Sequence, residues 1–232
     1  MTSIRTAFRA TFSAAALILW CACQAQLRVC IDPGHPSEVG KGTKGKRISE
    51  IQLAWDIALL VDAKLKAKNV QTKLTKGSRD EYVANKKRAQ IANAFRADLM
   101  IRFHCDHAVG ESGFATFYAN RAGKDGGKSG PSKAVLAQVK PMAQAFHDSL
   151  KGSLKGELKD RGLRTDTQTA VGAKKGALIG SIHSNVPSIL IEMVVLSSKS
   201  DEDWILASGG KAKMADAIVS ATMAALKRKS AK

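Results

Sequence analysis

Short apolar runs alternate with helical patterns along this chain, and that alternation is the feature that most constrains its fold. The runs typical of strands are LRVCID (27–32), VQTKLT (70–75), DLMIRFHCD (98–106), GFATFYA (113–119) and PSILIEMVVL (187–196). Helical patterns occupy about 50–68, 80–96, 132–150 and 210–229. Strands that alternate with helices are typical of α/β folds with parallel strands. The sequence therefore predicts a single-domain α/β fold, a mostly parallel twisted sheet flanked by helices on both faces.

Three stretches carry weaker patterns. The segment NRAGKDGGKSGPS (120–132) is rich in Gly, Lys and Ser and is predicted to be a surface loop. Residues 151–175 are polar and have no assignable pattern, and the apolar run GALIGSI (176–182) follows them. No internal repeat and no long linker indicates a second domain.

The amino-terminal segment has the pattern of an export signal. Arg5 and Arg9 precede the apolar run FSAAALILWCACQA (12–25), which ends in small residues as signal-peptidase sites do. We therefore predict a signal peptide at 1–25 and a catalytic domain at 26–232. The run is short and rich in Ala and Ser for a membrane span; a retained anchor and a lipidated cysteine are the alternatives. The mature chain is expected to be periplasmic or secreted, without a stable membrane span.

The chain is strongly basic, with a formal charge of +17 from 37 Lys and Arg against 20 Asp and Glu. Such a charge favours a polyanionic partner, which for an exported protein means cell-wall polymers, anionic lipid headgroups or extracellular nucleic acid. Aromatic residues make up 5% of the chain and show no stacking pattern, so no nucleic-acid partner is expected.

Two cysteines remain beyond the predicted signal peptide. Cys30 and Cys105 each lie in an apolar run that is predicted to be a strand. A disulfide between them is conceivable in an oxidising compartment. Two buried small hydrophobic side chains are the favoured interpretation.

Four polar side chains are predicted to meet at one edge of the sheet. His35 follows the first strand, His104 lies near the end of the third, Glu50 begins a helix, and Glu192 lies inside the last strand. Open α/β sheets place ligand sites beyond the carboxyl ends of their strands. Two histidines and a glutamate, with water as a fourth ligand, are typical of catalytic zinc sites.

Each of these residues also has a structural interpretation. In SEIQ (49–52), Glu50 follows a predicted N-cap serine, and Gln52 is predicted to complete a capping box. In this interpretation the Glu50 carboxylate only complements the helix dipole. His35 could be an ordinary loop histidine, whereas His104 between Phe103 and Cys105 needs a polar partner. Glu192 is costly to bury unless it is paired, hydrogen-bonded or catalytic.

Four motifs in order resemble one enzyme family. They are IDPGH (31–35), SEIQLAWDIA (49–58), RAQIANAFRADLMIRFHCD (88–106) and PSILIEMVVLSS (187–198). The sequence over about 27–227 resembles the zinc-dependent N-acetylmuramoyl-L-alanine amidases, bacterial and phage enzymes that cut the bond between muramic acid and the stem peptide of peptidoglycan.

The resemblance implies a role for each site residue. It makes His35, Glu50 and His104 the ligands of Zn²⁺ and Glu192 the catalytic carboxylate of a metal-assisted amide hydrolysis. The implied partner is peptidoglycan, and the basic surface is expected to contact other anionic envelope polymers. The loop 120–131 is too short for the long autoinhibitory helix that some members carry.

The chain departs from the family pattern near each ligand. The loop PSEVGKGTKGK (36–46) replaces the usual glycines after His35 and is expected to face substrate. Before His104 the chain has the pair Arg102 and Phe103, where the family favours a pair of small residues. Asp106 is a candidate orienting group. Further candidates, each with an alternative as a packing or surface residue, are His107, His183 and the segment Arg161 to Arg164.

Rival functions follow from the same residues. One is a catalytically inactive wall-binding protein of the same fold, although all four chemical positions are intact. Another is a different exported zinc hydrolase, namely a peptidase or a polysaccharide deacetylase.

Overall fold

Eight strands and seven helices form the part of the chain that the computed structural model describes, residues 26–229. The predicted signal peptide at 1–25 lies outside the described residues. The strands are β1 (Arg28–Pro33), β2 (Gln71–Leu74), β3 (Leu99–Asp106), β4 (Phe114–Tyr118), β5 (Gly123–Asp125), β6 (Lys128–Gly130), β7 (Asp160–Thr165) and β8 (Ser188–Val195). The helices are α1 (Glu50–Lys66), α2 (Asn85–Ala94), α3 (Lys133–Ser153), α4 (Ala170–Lys175), α5 (Ile179–His183), α6 (Lys199–Leu206) and α7 (Gly210–Lys229).

A six-stranded sheet in the order β2-β1-β3-β8-β4-β7 forms the centre. The first four of these strands are parallel to one another, β4 is antiparallel to β8, and β7 is parallel to β4. The predicted mostly parallel sheet is confirmed. Because β1, β3 and β8 point the same way, their carboxyl ends lie at one edge, where the predicted site residues are concentrated.

Helices cover both faces of this sheet. On one face, α1, α3 and α7 pack together and bury the main core, which includes Leu53, Phe146 and Ile218 at 0% exposure. On the other face, α2 packs beside α5, and its residue Ala92 contacts the β3 side chain Met100. Burial of these apolar side chains stabilises the fold by about 25 cal/mol per Å² of apolar surface.

The weakly patterned stretches contain structure that the sequence did not predict. The predicted loop 120–132 contains the β5–β6 hairpin, residues 151–175 include β7 and α4, and the run 176–182 enters α5. Asp125 of the hairpin forms ion pairs with Lys175 and His183, so long-range contacts hold this hairpin in place. Local composition could not indicate such contacts. Helix α6 was also missed.

The two described cysteines are free and buried. Cys105 belongs to the main core, whereas Cys30 packs with Met100 on the opposite face of the sheet. The interpretation as two small hydrophobic side chains is therefore confirmed.

Among residues 26–229, none of the helices combines the length and the apolar character that crossing a bilayer requires.

Candidate metal centre

Three candidate ligands meet at the carboxyl edge of the sheet. His35 lies two residues beyond the end of β1, His104 lies near the end of β3, and Glu50 is the first residue of α1. One potential ligand atom from each side chain can be chosen so that all of these atoms lie within 4.8 Å of one another. The structure therefore brings together the three residues that the sequence predicted as metal ligands.

His35 is oriented by its own loop. Its backbone adopts a positive φ of 50°, and its carbonyl oxygen accepts a hydrogen bond from Lys76 Nζ at 2.5 Å. The ring atom Nδ1 lies 3.0 Å from the carbonyl oxygen of Gly40. Because that oxygen can only accept, Nδ1 carries the hydrogen, and the Nε2 lone pair lies toward Glu50 Oε1 at 3.5 Å. A donated Nδ1–H to a carbonyl is the usual way to orient a metal-binding histidine.

Glu50 is fixed by the start of helix α1 and by two backbone donors. Ser49 is the N-cap, and its side chain accepts a hydrogen bond from the backbone of Gln52 at 3.3 Å. The carboxylate, which is 2% exposed, accepts hydrogen bonds from the backbone N–H groups of Cys105 (3.1 Å) and Thr43 (2.8 Å). The side chain of Gln52 does not complete the predicted capping box, because it contacts Asp56 and Arg79 instead.

The loop glycine at position 42 makes the approach to Glu50 possible. Gly42 has a φ of +73°, and a Cβ atom there would lie 2.5 Å from Glu50 Oε2 and 2.8 Å from the His35 ring. Glycine tolerates this conformation and leaves room for both side chains. The unusual loop 36–46 therefore packs against the candidate ligands.

His104 completes the group from the neighbouring strand. Its Nδ1 lies 2.9 Å from Glu50 Oε1, and its Nε2 is buried without a hydrogen-bond partner among the described residues. Burial lowers the pKa of His104, and the neighbouring carboxylate only partly opposes this shift. Burial thus favours the neutral imidazole over the protonated one, and the neutral imidazole is the form that binds metals.

The environment of Glu50, in contrast, favours the charged form of its side chain. Burial by itself would raise the pKa of Glu50, but the hydrogen bond and charge of His104 and the charge of His35 lower it. The group thus combines an ionised carboxylate with two imidazoles.

The geometry of this group fits a small divalent cation. Zinc–ligand bonds of about 2.1 Å in a tetrahedral arrangement separate neighbouring ligand atoms by about 3.4 Å. The distances from Glu50 Oε1 are 3.5 Å to His35 Nε2 and 2.9 Å to His104 Nδ1. These values lie on either side of that separation. A cation would replace the hydrogen that His104 and Glu50 share, and two imidazoles with one carboxylate are good zinc ligands.

A second glutamate lies beside the candidate ligands. Glu192 of β8 is the register partner of His104 in the parallel β3–β8 pair, so both side chains are on one face about 5 Å apart at the backbone. Its Oε2 atom is buried and has no hydrogen-bond partner in the described part of the chain. Burial, followed by the charges of Glu50 and Asp106, raises the pKa of Glu192 well above its ordinary value.

A cavity of about 160 Å³ opens onto these residues. Its apolar lining includes Val171, Leu178 and Leu190. Its polar lining consists of His104, Glu192, Arg102, Asn85 and Thr169. The loop residue Val39 also lines it.

The other sequence candidates have different surroundings. His107 is exposed and lies outside the ligand group.

Asp106 accepts a hydrogen bond from Arg161 Nη2 at 2.7 Å, and Arg161 lies in strand β7 with a side chain only 4% exposed. The interpretation of the segment Arg161 to Arg164 as a plain surface loop is therefore wrong. His183 Nε2 lies 2.9 Å from Asp125 and does not line the cavity.

Sequence reasoning missed a buried ionic network below the site. Asp32, at 0% exposure, accepts hydrogen bonds from Arg88 Nη1 (2.7 Å), Arg102 Nε (2.8 Å) and Thr75 Oγ1 (2.5 Å). Burial by itself would raise the pKa of Asp32, but the two guanidinium groups hold it below its ordinary value. The available signal was the presence of charged residues within the apolar runs 27–32 and 98–106, although neither run reveals the partner of its charge.

Fold and site together define a class: α/β proteins with a His–Glu–His candidate metal centre at the carboxyl edge of a mostly parallel sheet, next to an unpaired buried glutamate. Within that class, the chain belongs to the N-acetylmuramoyl-L-alanine amidase family, whose model matches residues 29–223.

Known proteins similar to this chain carry the same family name. The chain is 25% identical over 197 residues to the amidase LytC of Bacillus subtilis, an alignment that covers 84% of this chain and 34% of LytC. The chain thus spans about a third of the length of that relative. An amidase structure from Clostridium difficile 630 superimposes with a TM-score of 0.69 and 25% identity, covering 87% of this chain and 97% of the other.

Apo Ami1 of Mycobacterium abscessus has the same fold, with a TM-score of 0.70 at 23% identity over 87% of this chain and 99% of Ami1.

Proposed function

We propose that this chain is a zinc-dependent N-acetylmuramoyl-L-alanine amidase that hydrolyses the amide between N-acetylmuramic acid and L-alanine in peptidoglycan. The observation that carries the proposal is the register pair of His104 and Glu192, which sets an unpaired buried carboxyl group beside a three-ligand centre. Family membership and the names of the similar proteins support the same substrate.

In this proposal His35, Glu50 and His104 hold the metal ion. When bound, zinc supplies a positive charge that acidifies water and polarises the scissile carbonyl. The backbone donors to Glu50 and the Gly40 carbonyl at His35 keep the ligands in place, so little reorganisation accompanies binding.

Glu192 is the proposed proton carrier. It accepts a proton from the attacking water and then donates this proton to the departing alanine nitrogen, so that alanine leaves as a neutral amine. A buried carboxyl with a raised pKa suits this role, because it holds a proton more readily than an exposed glutamate at the same pH.

The test of this function is digestion of purified peptidoglycan by the zinc-loaded protein, with and without a chelator, followed by mass analysis of the released material. Free stem peptides with an alanine amino terminus, lost on chelation, are expected. Cuts within peptides or removal of acetyl groups would instead support the rival peptidase or deacetylase, and no product would support an inactive wall-binding protein.

We also propose that the protein is exported and held near its substrate by charge. Without the predicted signal peptide, which holds two of the 37 basic residues, Arg5 and Arg9, and no acidic residue, 35 basic residues remain against 20 acidic ones, and this excess favours contact with anionic envelope polymers. Binding to isolated wall sacculi should weaken as ionic strength rises from 0.01 M to 1 M, because the Debye length falls from about 30 Å to about 3 Å. Retention that does not change with salt would rule out electrostatic anchoring.

A further inference from the structure

Arg102 lies on the cavity lining two residues before His104, on the same face of β3. The residue is 3% exposed and is one of the residues that line the cavity. Strand residues two apart point to one face and are separated by about 7 Å. A buried cation therefore lies about 7 Å along the strand from a candidate metal ligand.

The guanidinium of Arg102 is held from one side only. Nε donates to Asp32 Oδ2 at 2.8 Å and Nη2 donates to Asn85 Oδ1, whereas Nη1 has no hydrogen-bond partner among the described residues. Gly180 of α5 packs closely here, since a Cβ at that position would lie 2.7 Å from Nη1. The Arg102 side chain is thus held in a fixed position, while its Nη1 group has no hydrogen-bond partner among the described residues.

The charge of the surrounding network is unbalanced. Two guanidinium groups, those of Arg88 and Arg102, share the one carboxylate of Asp32. In the described part of the chain, Asp32 is the sole carboxylate within 4.0 Å of the Arg102 guanidinium. A carboxylate entering the cavity would meet a preformed cationic donor, whereas the buried carboxyl groups of Asp166 and Glu192 interact with Arg102 only from beyond 4.0 Å.

We propose that the cavity is a subsite for a substrate carboxylate and that Arg102 binds it. This inference rests on the proposed function, and it names the α-carboxylate of the second stem residue, the γ-linked glutamate. From the scissile nitrogen to that carboxylate the stem spans two residues, about 7 Å when extended, which equals the spacing of His104 and Arg102 along β3. The apolar side chains Val171, Leu178 and Leu190 complete the subsite.

The experiment compares two synthetic fragments that differ at one group. One is N-acetylmuramoyl-L-alanyl-γ-D-glutamyl-L-lysine, and the other has a carboxamide in place of the glutamyl α-carboxylate. For the zinc-loaded wild-type protein, kcat/KM is expected to favour the carboxylate fragment by about tenfold or more, as expected for a charge-assisted hydrogen bond. The Arg102→Met variant should lose this preference because its kcat/KM falls for the carboxylate fragment and stays unchanged for the carboxamide fragment. The charge-retaining Arg102→Lys variant should keep part of it.

Two results would overturn the inference. If the Arg102→Met variant still prefers the carboxylate fragment as strongly as the wild-type protein does, a group other than Arg102 binds the carboxylate. An equal loss on both fragments would show that Arg102 acts on Glu192 or on folding and does not bind substrate.

A second variant pair leaves Arg102 intact. Ile179→Glu adds a carboxylate to the lining of the cavity, and Ile179→Gln is its uncharged match. The Glu variant should lose the preference and the Gln variant should keep it; equal behaviour of the two would contradict the subsite.

Calorimetric binding of the same fragments separates this inference from the proposed function. If neither fragment is hydrolysed but the wild-type protein binds the carboxylate fragment more tightly and Arg102→Met does not, the hydrolytic function fails and the subsite stands. If the wild-type protein binds both fragments equally or neither, the subsite is wrong.

Discussion

Glu50 Oε1 lies 2.9 Å from Nδ1 of His104, although 54 residues separate the two in the chain. Helix α1 presents the carboxylate and strand β3 presents the imidazole, and the backbone N–H of Cys105 donates to the same oxygen. The contact is therefore built by tertiary packing of rigid elements and does not depend on the loop alone. A centre of this kind can be tested one element at a time.

Gly42 should control metal binding although it offers no ligand. A methyl group there would meet Glu50 Oε2 at 2.5 Å, so Gly42→Ala is expected to displace the carboxylate and lower zinc affinity by tenfold or more. Gly156→Ala is the matched control, because Gly156 has a similar φ of +79° but no atom lies within 4 Å of its added Cβ. Zinc titration of both variants measures the difference. Equal affinities would show that Gly42 does not shape the centre.

His35 should be required for metal binding, whereas His107 should not. His35→Ala removes one of three candidate ligands and is expected to reduce bound zinc well below one ion per chain. His107 is exposed and outside the group, so His107→Ala should retain full zinc content by elemental analysis. The ligand set is wrong if the two variants hold the same amount of zinc.

Glu192 should be needed for turnover, and its burial should lower the free energy of unfolding of the protein. Glu192→Gln is expected to slow hydrolysis by about 10²–10⁴-fold while zinc content stays unchanged. A loss of zinc in this variant would mean that Glu192 is a ligand.

The pH dependence of stability follows from the raised pKa of Glu192. The folded state binds this proton more tightly than the unfolded state, so the wild-type free energy of unfolding falls as pH rises above the ordinary value of 4.5. The metal-free Glu192→Gln protein should therefore be more stable than wild type at neutral pH, and the gain should vanish below about pH 4.5. Glu157→Gln, at an exposed position, should show no such gain in thermal melts.

Asp32 should be a main support of the fold below the site. Asp32→Asn leaves Arg88 and Arg102 without their shared carboxylate and is expected to destabilise the protein by about 3–5 kcal/mol. Because the folded pKa of Asp32 is lowered, this contribution is complete above its ordinary value of 3.8 and declines as pH falls below it. Denaturant unfolding measures the loss. Asp80→Asn, which breaks an exposed pair with Arg79, should cause no comparable loss.

The sequence predicted the elements that carry local patterns. The apolar runs of β1, β3 and β8 and the periodic helices α1, α3 and α7 were predictable because burial imposes a period on the sequence. The convergence of His35, Glu50 and His104 was predictable because parallel strands share one carboxyl edge.

Contacts between distant polar residues were not predictable in this way. The hairpin β5–β6 is held by Asp125 against Lys175 and His183, and Asp32 meets Arg88 and Arg102 only in the folded chain. A short polar edge strand such as β7 has no buried face with a strict period of two, so its pattern resembles that of a loop. The free Nη1 of Arg102 and the cavity beside it appear only once these contacts are known.

The reaction proposed for this centre is cleavage of the amide between muramic acid and alanine. The most direct measurement is digestion of peptidoglycan by the zinc-loaded protein in water enriched in heavy oxygen, with mass analysis of both products. We predict heavy oxygen in the lactyl carboxylate of muramic acid and a new, unlabelled amino terminus on alanine. Heavy oxygen within the stem peptide, or in released acetate, with the muramoyl amide intact, would contradict cleavage at this bond.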